Sequence, residues 1–339
     1  MNWHLLLLPL NPLYRGAVAV RNSAYRRGWL NTERLDVPVV SVGNLTFGGT
    51  GKTPTVIALV RDLISLGRQP AVLTRGYKRR DDHQIVAVGP EPHHDVDEIG
   101  DEALEMARRL PGVPVIVDAD RVRGGREAVK RGADVVVLDD GFQHRRLERD
   151  LDLVVVDCGD PWGGDRLPPI GRLREPVGAL ERADAVLISK VPVAFREPVA
   201  AIEKRIEDIR PDLPVFVARM EPSRVRVPDE GWCGVERLSG TRVFAVAGVG
   251  RPQGFAETLV SCEAEIVGHR WFPDHHDYSL DDLHQVSLAA KEQEAVLVTT
   301  GKDAVKLPPD ADVWVVEAGL RPLEGSWKNL WQLLPEVVS

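Results

Sequence analysis

A chain of 339 residues, 43% hydrophobic and 28% charged, can bury a large core and divide into two lobes, which excludes a disordered or fibrous polypeptide. Its net charge of −8 excludes a general nucleic-acid binder and leaves room only for local basic patches. Cys158, Cys233 and Cys262 are far apart and lack metal-ligand spacing, so they read as reduced thiols outside any disulfide framework.

Residues 1–35 depart from the rest. Leu5-Leu6-Leu7-Leu8 is too short to span a bilayer and is interrupted by Pro9 and Pro12. No basic stretch precedes it and no small-residue cleavage site follows, so it is a poor secretory signal. Arg15, Arg21, Arg26, Arg27 and Arg34 stand against one acid, Glu33, among Trp3, Tyr14, Tyr25 and Trp29. Two readings stay open: an amphipathic helix lying in a membrane interface, or a helix packed on the protein's own core with its arginines in water.

Downstream, apolar runs alternate with helical periodicity. Strands are predicted over 37–42, 70–74, 113–117, 134–138, 153–157 and 185–189, with helices over 53–66, 98–110 and 121–131. This alternation predicts an α/β core with a parallel sheet covered by helices on both faces. Residues 211–240 are turn-rich and read as a connector. A second pattern follows, with strands over 243–247, 265–269, 295–300 and 313–317 and helices over 252–261, 280–291 and 327–334. The expected organisation is an N-terminal interfacial segment (1–35), a P-loop NTPase-type core (36–222), a connector (223–242) and a smaller α/β lobe (243–339).

The first predicted strand runs into Gly43-Asn44-Leu45-Thr46-Phe47-Gly48-Gly49-Thr50-Gly51-Lys52-Thr53. Backbone N–H groups of a Gly-rich loop and the helix behind it make an anion site. Lys52 adds a point charge for terminal phosphates, and the Thr53 hydroxyl can ligate Mg²⁺. Thr46 stands where the strict pattern has glycine; Gly48, Gly49, Thr50 and Gly51 make the cradle instead. Asp139-Asp140 closes another buried-looking strand, where a metal-ordering acid is needed; the plain alternative is a strand-to-turn cap. Together the two segments predict a nucleoside triphosphate site. Ile188-Ser189-Lys190 ends a strand where phosphate-loop proteins hold the nucleobase, and the missing guanine-reading Asp favours ATP.

Gly100-Asp101-Glu102 begins a helix, where acids complement the dipole or, on the sharper reading, serve as base and metal-ordering acid. Trp271-Phe272-Pro273-Asp274-His275-His276-Asp277-Tyr278 follows a strand, either as loop structure or as a functional histidine. Basic loops at Arg75 to Arg80, Arg121, His144 to Arg146 and Arg166 to Arg174 predict an anionic substrate besides the nucleotide.

These segments add up to a family. With Thr74-Arg75-Gly76-Tyr77, Asp120-Arg121, Asp139-Asp140-Gly141-Phe142-Gln143-His144, Leu173-Arg174-Glu175-Pro176, Phe272-Pro273-Asp274-His275 and Thr300-Gly301-Lys302-Asp303, nearly the whole chain resembles tetraacyldisaccharide 4′-kinase, the lipid A 4′-kinase of Gram-negative bacteria. The resemblance implies transfer of the ATP γ-phosphate, with Mg²⁺, to the 4′-hydroxyl of a tetraacylated disaccharide 1-phosphate at the cytoplasmic face of the inner membrane. It implies that Lys52 and Thr53 hold the phosphates and metal, that Asp139, Asp140 and Glu102 order Mg²⁺, and that Asp101 is the catalytic base. His275 looks like the small-lobe histidine that meets this acid, with His276 as its one-residue rival. Arg75, Tyr77, Arg121, Gln143, His144 and Arg172 are the expected substrate-binding set. The resemblance also favours the interfacial reading of 1–35, since a tetraacylated acceptor stays in the bilayer; the expected partners are the lipid A disaccharide precursor and inner-membrane surface lipids, with no nucleic acid and no obligatory protein partner. The rivals are a soluble P-loop ligase and a membrane-docking nucleotide switch.

Overall fold

The computed structural model describes residues 10–76, 83–89, 96–192, 196–250, 252–274, 276–308, 311–323, 326–334 and 337. In chain order the elements are α1 (Leu10–Arg26), β1 (Val39–Gly43), α2 (Lys52–Ser65), β2 (Pro70–Thr74), β3 (Ile85–Ala87), α3 (Val96–Ile99), α4 (Asp101–Arg109), β4 (Val115–Val117), α5 (Arg121–Lys130) and β5 (Val135–Asp139). They continue through β6 (Leu151–Asp157), β7 (Ala185–Ser189), α6 (Arg196–Glu207), β8 (Val215–Val227), β9 (Gly231–Cys233), β10 (Arg242–Ala247), α7 (Pro252–Ser261) and β11 (Glu265–Trp271). The last are α8 (Leu280–Glu292), β12 (Val296–Thr300), α9 (Gly301–Ala304), β13 (Trp314–Pro322) and α10 (Lys328–Trp331). Two compact units divide the chain: 1–94, 106–219 and 320–339 form the first, 95–105 and 220–319 the second.

In the first unit the strand order is β8-β7-β6-β1-β5-β2-β4-β3. Every neighbouring pair is parallel except β3 with β4. β1, β2, β5 and β7 are buried at every position, which is why they read as continuous apolar runs rather than alternating ones. Val136 and Leu138 of β5 join Val122 and Ala128 of α5 in one cluster. Their alternates Val135 and Val137 face the other side and are equally buried. On the β6–β7 side, Val199, Ile202 and Ile206 of α6 pack with Val154, Val156, Val186 and Ile188. Each such side chain contributes roughly 1.5–3 kcal/mol by leaving water.

The second unit has the order β11-β10-β12-β13, all parallel, with β9 folded antiparallel onto β8. Strand β10 shows why helices flank it. Val243, Ala245 and Ala247 pack with Phe255 and Leu259 of α7, while Phe244 and Val246 pack with Val286 and Ala290 of α8. The architecture is mixed α/β with mostly parallel pairing.

Some local outcomes differ from the periodicity. The helix predicted over 98–110 is broken at Gly100, whose φ of 87° is left-handed, so Asp101 opens a helix of its own. Residues 215–227 form one 13-residue strand despite Pro222 and three arginines. The closing helix predicted over 327–334 is one turn, Lys328–Trp331, whose Trp331 indole N–H donates to Asp62 at 2.5 Å. Pro12 is accommodated in the first turn of α1, where its missing N–H costs nothing.

Candidate active site

Strand β1 delivers the chain to a loop whose shape is set by polar contacts. Asn44 Nδ2 donates to the Thr46 carbonyl at 2.8 Å and to Thr50 Oγ1 at 3.0 Å, so one buried amide spans the loop. An antiparallel bridge, Thr46 with Leu173, joins the loop to 165–176, with Phe47 N–H donating to Arg172 O and Arg174 N–H to Leu45 O. Gly48 and Gly51 have φ of 118° and 93°, and Gly51 caps α2. No side chain caps α2 at Gly51, and the first-turn N–H groups of such a helix, here beginning at Lys52 and Thr53, suit an anion. The Phe47 ring is 45% exposed, with the Arg174 guanidinium 5.1 Å from its centre.

Asp139 is the last residue of β5, and Asp140 turns left-handed just beyond it, with φ 52°. Lys52 Nζ lies 3.4 Å from Asp140 Oδ1, and Arg174 Nη1 donates to both Asp140 oxygens at 2.8 Å. Burial works against the Asp140 charge, but Lys52 and Arg174 outweigh it, so its carboxyl lies below the usual carboxylate range. Asp139 has the opposite environment. Oδ2 accepts from Thr74 Oγ1 at 2.9 Å, and Oδ1 is buried with no hydrogen-bond partner among the described residues. Burial, reinforced by the charge on Asp140, pushes the Asp139 carboxyl up.

Of the nominated basic and polar residues of this unit, Arg121 lies in the field of both acids. Arg121 is 2% exposed and donates to the Asp118 carbonyl at 2.5 Å; burial brings its guanidinium down to about 10, with Asp139 and Asp140 acting the other way. His144 is held neutral at pH 7, its imidazole brought down to about 4 by burial and then by Arg121 and Arg21. Gln143 Nε2 donates to the Asn44 carbonyl at 2.9 Å, and Arg21 of α1 donates to the Gln143 carbonyl at 2.6 Å. Arg75 is exposed just beyond β2 and belongs to the field that holds His144 neutral. Arg172 pairs with Asp160, and its backbone carbonyl holds the loop. Tyr77 lies outside the described residues. Sequence reasoning nominated Arg172 and passed over Arg174, which grips Asp140; its place in Leu173-Arg174-Glu175-Pro176 was the available signal.

The other nominated residues belong to the second unit. Asp101 Oδ1 accepts from the Glu102 N–H at 3.0 Å, and Lys306 Nζ is 3.7 Å from Asp101 Oδ2. Lys302 Nζ donates to Asp274 at 2.9 Å. Burial disfavours the Lys302 charge, but Asp274, Asp101 and Glu102 more than restore it. Asp303 is fully buried, accepting from the Gly248 N–H at 3.0 Å and from Thr300 Oγ1 at 2.7 Å. His276 stacks on Phe272 at 4.4 Å, and its Nε2 lies 3.2 Å from Asp282 Oδ2, part of the capping box that starts α8. His276 is therefore committed to this cluster, while His275 lies outside the described residues. Among the described residues, no group of three or more His, Cys, Asp or Glu side chains is placed to hold a metal ion unaided.

Comparison with known proteins gives a consistent answer. The family described as Tetraacyldisaccharide-1-P 4'-kinase matches residues 3–337. The tetraacyldisaccharide 4'-kinase of Syntrophus aciditrophicus is 43% identical over 317 residues, covering 90% of this chain and 84% of its own. That of Anaeromyxobacter sp. strain Fw109-5 is 42% identical over 309 residues, covering 90% and 83%. The crystal structure of LpxK from Aquifex aeolicus, an "apo" form in complex with ATP, superposes with a TM-score of 0.79 at 30% identity over 99% of both chains. The chain belongs to the tetraacyldisaccharide-1-P 4′-kinase family.

Proposed function

We infer that this chain works as a P-loop-type kinase that carries the γ-phosphoryl group of ATP to the 4′-hydroxyl of a tetraacyldisaccharide 1-phosphate. It is a tetraacyldisaccharide 4′-kinase of lipid A biosynthesis. The observation that carries the site reading is the convergence of the loop at Gly48–Thr53, Lys52 and the Asp139-Asp140 pair at the carboxyl ends of adjacent parallel strands, where ligands of open α/β sheets bind. The N–H groups of the loop and of the first turn of α2 cradle phosphate, and Lys52, kept extended by Asp140, supplies the fixed charge.

Mg²⁺ fits this donor set. A buried carboxylate oxygen without a partner, Asp139 Oδ1, suits an ion that takes one or two protein oxygens and fills its shell with phosphate oxygens and water. Thr53 and Asp139 would hold it, and it would neutralise charge on the β- and γ-phosphates. Asp140, already held by Lys52 and Arg174, keeps those cations aimed. Glu102 is the further metal-ordering acid that the family pattern nominates.

In the transfer, the bond between the γ-phosphorus and the β–γ bridging oxygen breaks, the 4′-oxygen bonds to phosphorus, and ADP leaves. We assign the hydroxyl proton to Asp101, beside Lys306, with His275 as its partner. Arg75, Tyr77, Arg121, Gln143, His144 and Arg172 are the proposed acceptor-binding set, the arginines facing its anionic groups. The test is Asp101→Ala. Transfer falls at least 100-fold while ATP affinity stays within about threefold; a comparable loss of ATP binding would make Asp101 a structural or metal residue instead.

We place the enzyme at the membrane surface. One side of α1 is tied down: Asn11 donates to Leu167 O at 2.7 Å, Tyr14 to Arg174 O at 3.1 Å and Asn22 to Glu175 at 2.7 Å. Leu13 and Val20, seven residues apart and so on one face, are each 69% exposed; Trp29 and Leu30 follow, at 70% and 41%. Among the described residues no helix is long and apolar enough to cross a membrane. Exposed apolar groups beside arginines support a helix lying in the interface of anionic lipids on the cytoplasmic face of the inner membrane.

A further inference from the structure

The tip of the loop has almost nothing to pack against. A Cβ at Gly49 would meet no heavy atom within 4 Å, and one at Gly48 would meet only Arg172. Fixing such backbone costs roughly 1–2 kcal/mol per residue in lost conformational freedom. The contacts from Asn44 and from 165–176 hold residues 45–47 and 50, and the Thr50 N–H donates to the Gly48 carbonyl at 3.1 Å, which leaves Gly49 to be held by something else.

That holder is the end of β7. Ser189 Oγ donates to the Thr50 carbonyl at 2.6 Å, and Lys190 Nζ donates to the Gly49 carbonyl. Lys190 is itself fixed by Asp157 at the end of β6, at 2.8 Å. Its backbone is left-handed, φ 54°, a conformation that costs a non-glycine residue about 1 kcal/mol. In a trans peptide the carbonyl and the following N–H point to opposite sides. Drawing the Thr50 carbonyl toward β7 therefore turns the Gly51 N–H away from that strand, while drawing the Gly49 carbonyl the same way sets the Thr50 N–H on the Gly48 carbonyl, 3.1 Å away, and closes the tight turn at the loop tip. Gly51 also leaves no slack: a Cβ there would lie 3.2 Å from Ser189 Oγ and 3.8 Å from Lys190 Cε.

We propose that Lys190, braced by Asp157 and assisted by Ser189, is a positioning residue that sets the phosphate loop in its ATP-binding conformation. The inference rests on reading this loop as the ATP cradle. It acts on nucleotide affinity through the loop backbone and leaves the acceptor side untouched. A charge-assisted hydrogen bond of this kind corresponds to roughly a tenfold change in binding.

The test measures ATP affinity by calorimetry on the full chain for wild type, Lys190→Met, Asp157→Asn and Lys52→Ala, with thermal midpoints and steady-state kinetics alongside. Lys190→Met weakens ATP about tenfold and raises the KM for ATP in step, while kcat at saturating ATP and the KM for the lipid acceptor stay within about twofold. Asp157→Asn leaves the lysine present but unbraced and weakens ATP about threefold; this variant decides the matter should Lys190→Met not fold. ATP affinity unchanged in both, with Lys52→Ala losing it, overturns the clamp and spares the cradle. Retention of ATP affinity by Lys52→Ala overturns the cradle reading, and the clamp with it. A fall in kcat or a rise in acceptor KM equal to the loss of ATP affinity also overturns the proposal, because it marks a general structural role.

Discussion

Lys52 Nζ lies 3.4 Å from Asp140 Oδ1, while the neighbouring carboxylate, Asp139, keeps one buried oxygen without a partner. Two consecutive aspartates thus have opposite electrostatics: one is saturated by cations and the other is left strained by burial and by its neighbour's charge. On the proposed reading, Asp139 is the carboxylate that would meet a cation brought with the nucleotide.

Replacing Asp139 by Asn therefore separates stability from function. The side chain keeps an oxygen for Thr74 and sheds a charge that burial disfavours, so the ligand-free protein is not destabilised. Turnover at low Mg²⁺ falls at least tenfold. Urea midpoints and Mg²⁺ titrations check both, and a destabilised variant contradicts the account.

Gly51→Ala places a Cβ at φ 93° and 3.2 Å from Ser189 Oγ. The left-handed conformation alone costs about 1–2 kcal/mol. The expected result is a fall of a few degrees in thermal midpoint with weakened ATP binding. An unchanged midpoint would mean that the loop relaxes freely.

His144 gives a pH signature. Its folded value is about 4, below the ordinary 6.5 of an unfolded chain. As pH falls from about 6.5 to about 4, only the unfolded chain takes up the proton, so this contribution to stability is full above the window and lost across it. His144→Gln flattens the fall in urea midpoint between pH 7 and pH 4. Parallel curves for the two proteins would refute it.

The face of α1 carrying Leu13 and Val20 predicts vesicle binding. Each buried apolar side chain is worth about 1.5–3 kcal/mol. Leu13→Ser with Val20→Ser should weaken flotation with anionic vesicles at least tenfold, and salt should weaken the wild type too. Salt-independent binding by the double variant would place the membrane contact elsewhere.

The proposed phosphate site could be nominated from sequence because its chemistry is local. A buried parallel strand needs a continuous apolar run, and the cradle needs glycine, lysine and threonine in sequence. Both fall within 39–53, and the expected strand over 37–42 is observed as Val39–Gly43. Asp139-Asp140 could be placed at a strand end for the same reason, and β5 does end at Asp139. The partners of Arg174 and Lys190 were not legible, since each acts on a residue 34 or 141 positions away, a relation set by strand order rather than by spacing. Strand β8 was hidden because it is only half-buried along much of its length and carries Arg219, Pro222 and Arg224, which read as turn. The break at Gly100 needed knowledge of a left-handed backbone that periodicity does not carry.

The central claim is best tested by transfer of label from γ-phosphate-labelled ATP to a tetraacyldisaccharide 1-phosphate in detergent micelles, with wild type and Lys52→Ala side by side. The account predicts labelled lipid phosphorylated at the 4′-hydroxyl, reduced at least 100-fold in the variant. Label released only as free phosphate by the wild type, or undiminished lipid product from Lys52→Ala, would contradict it.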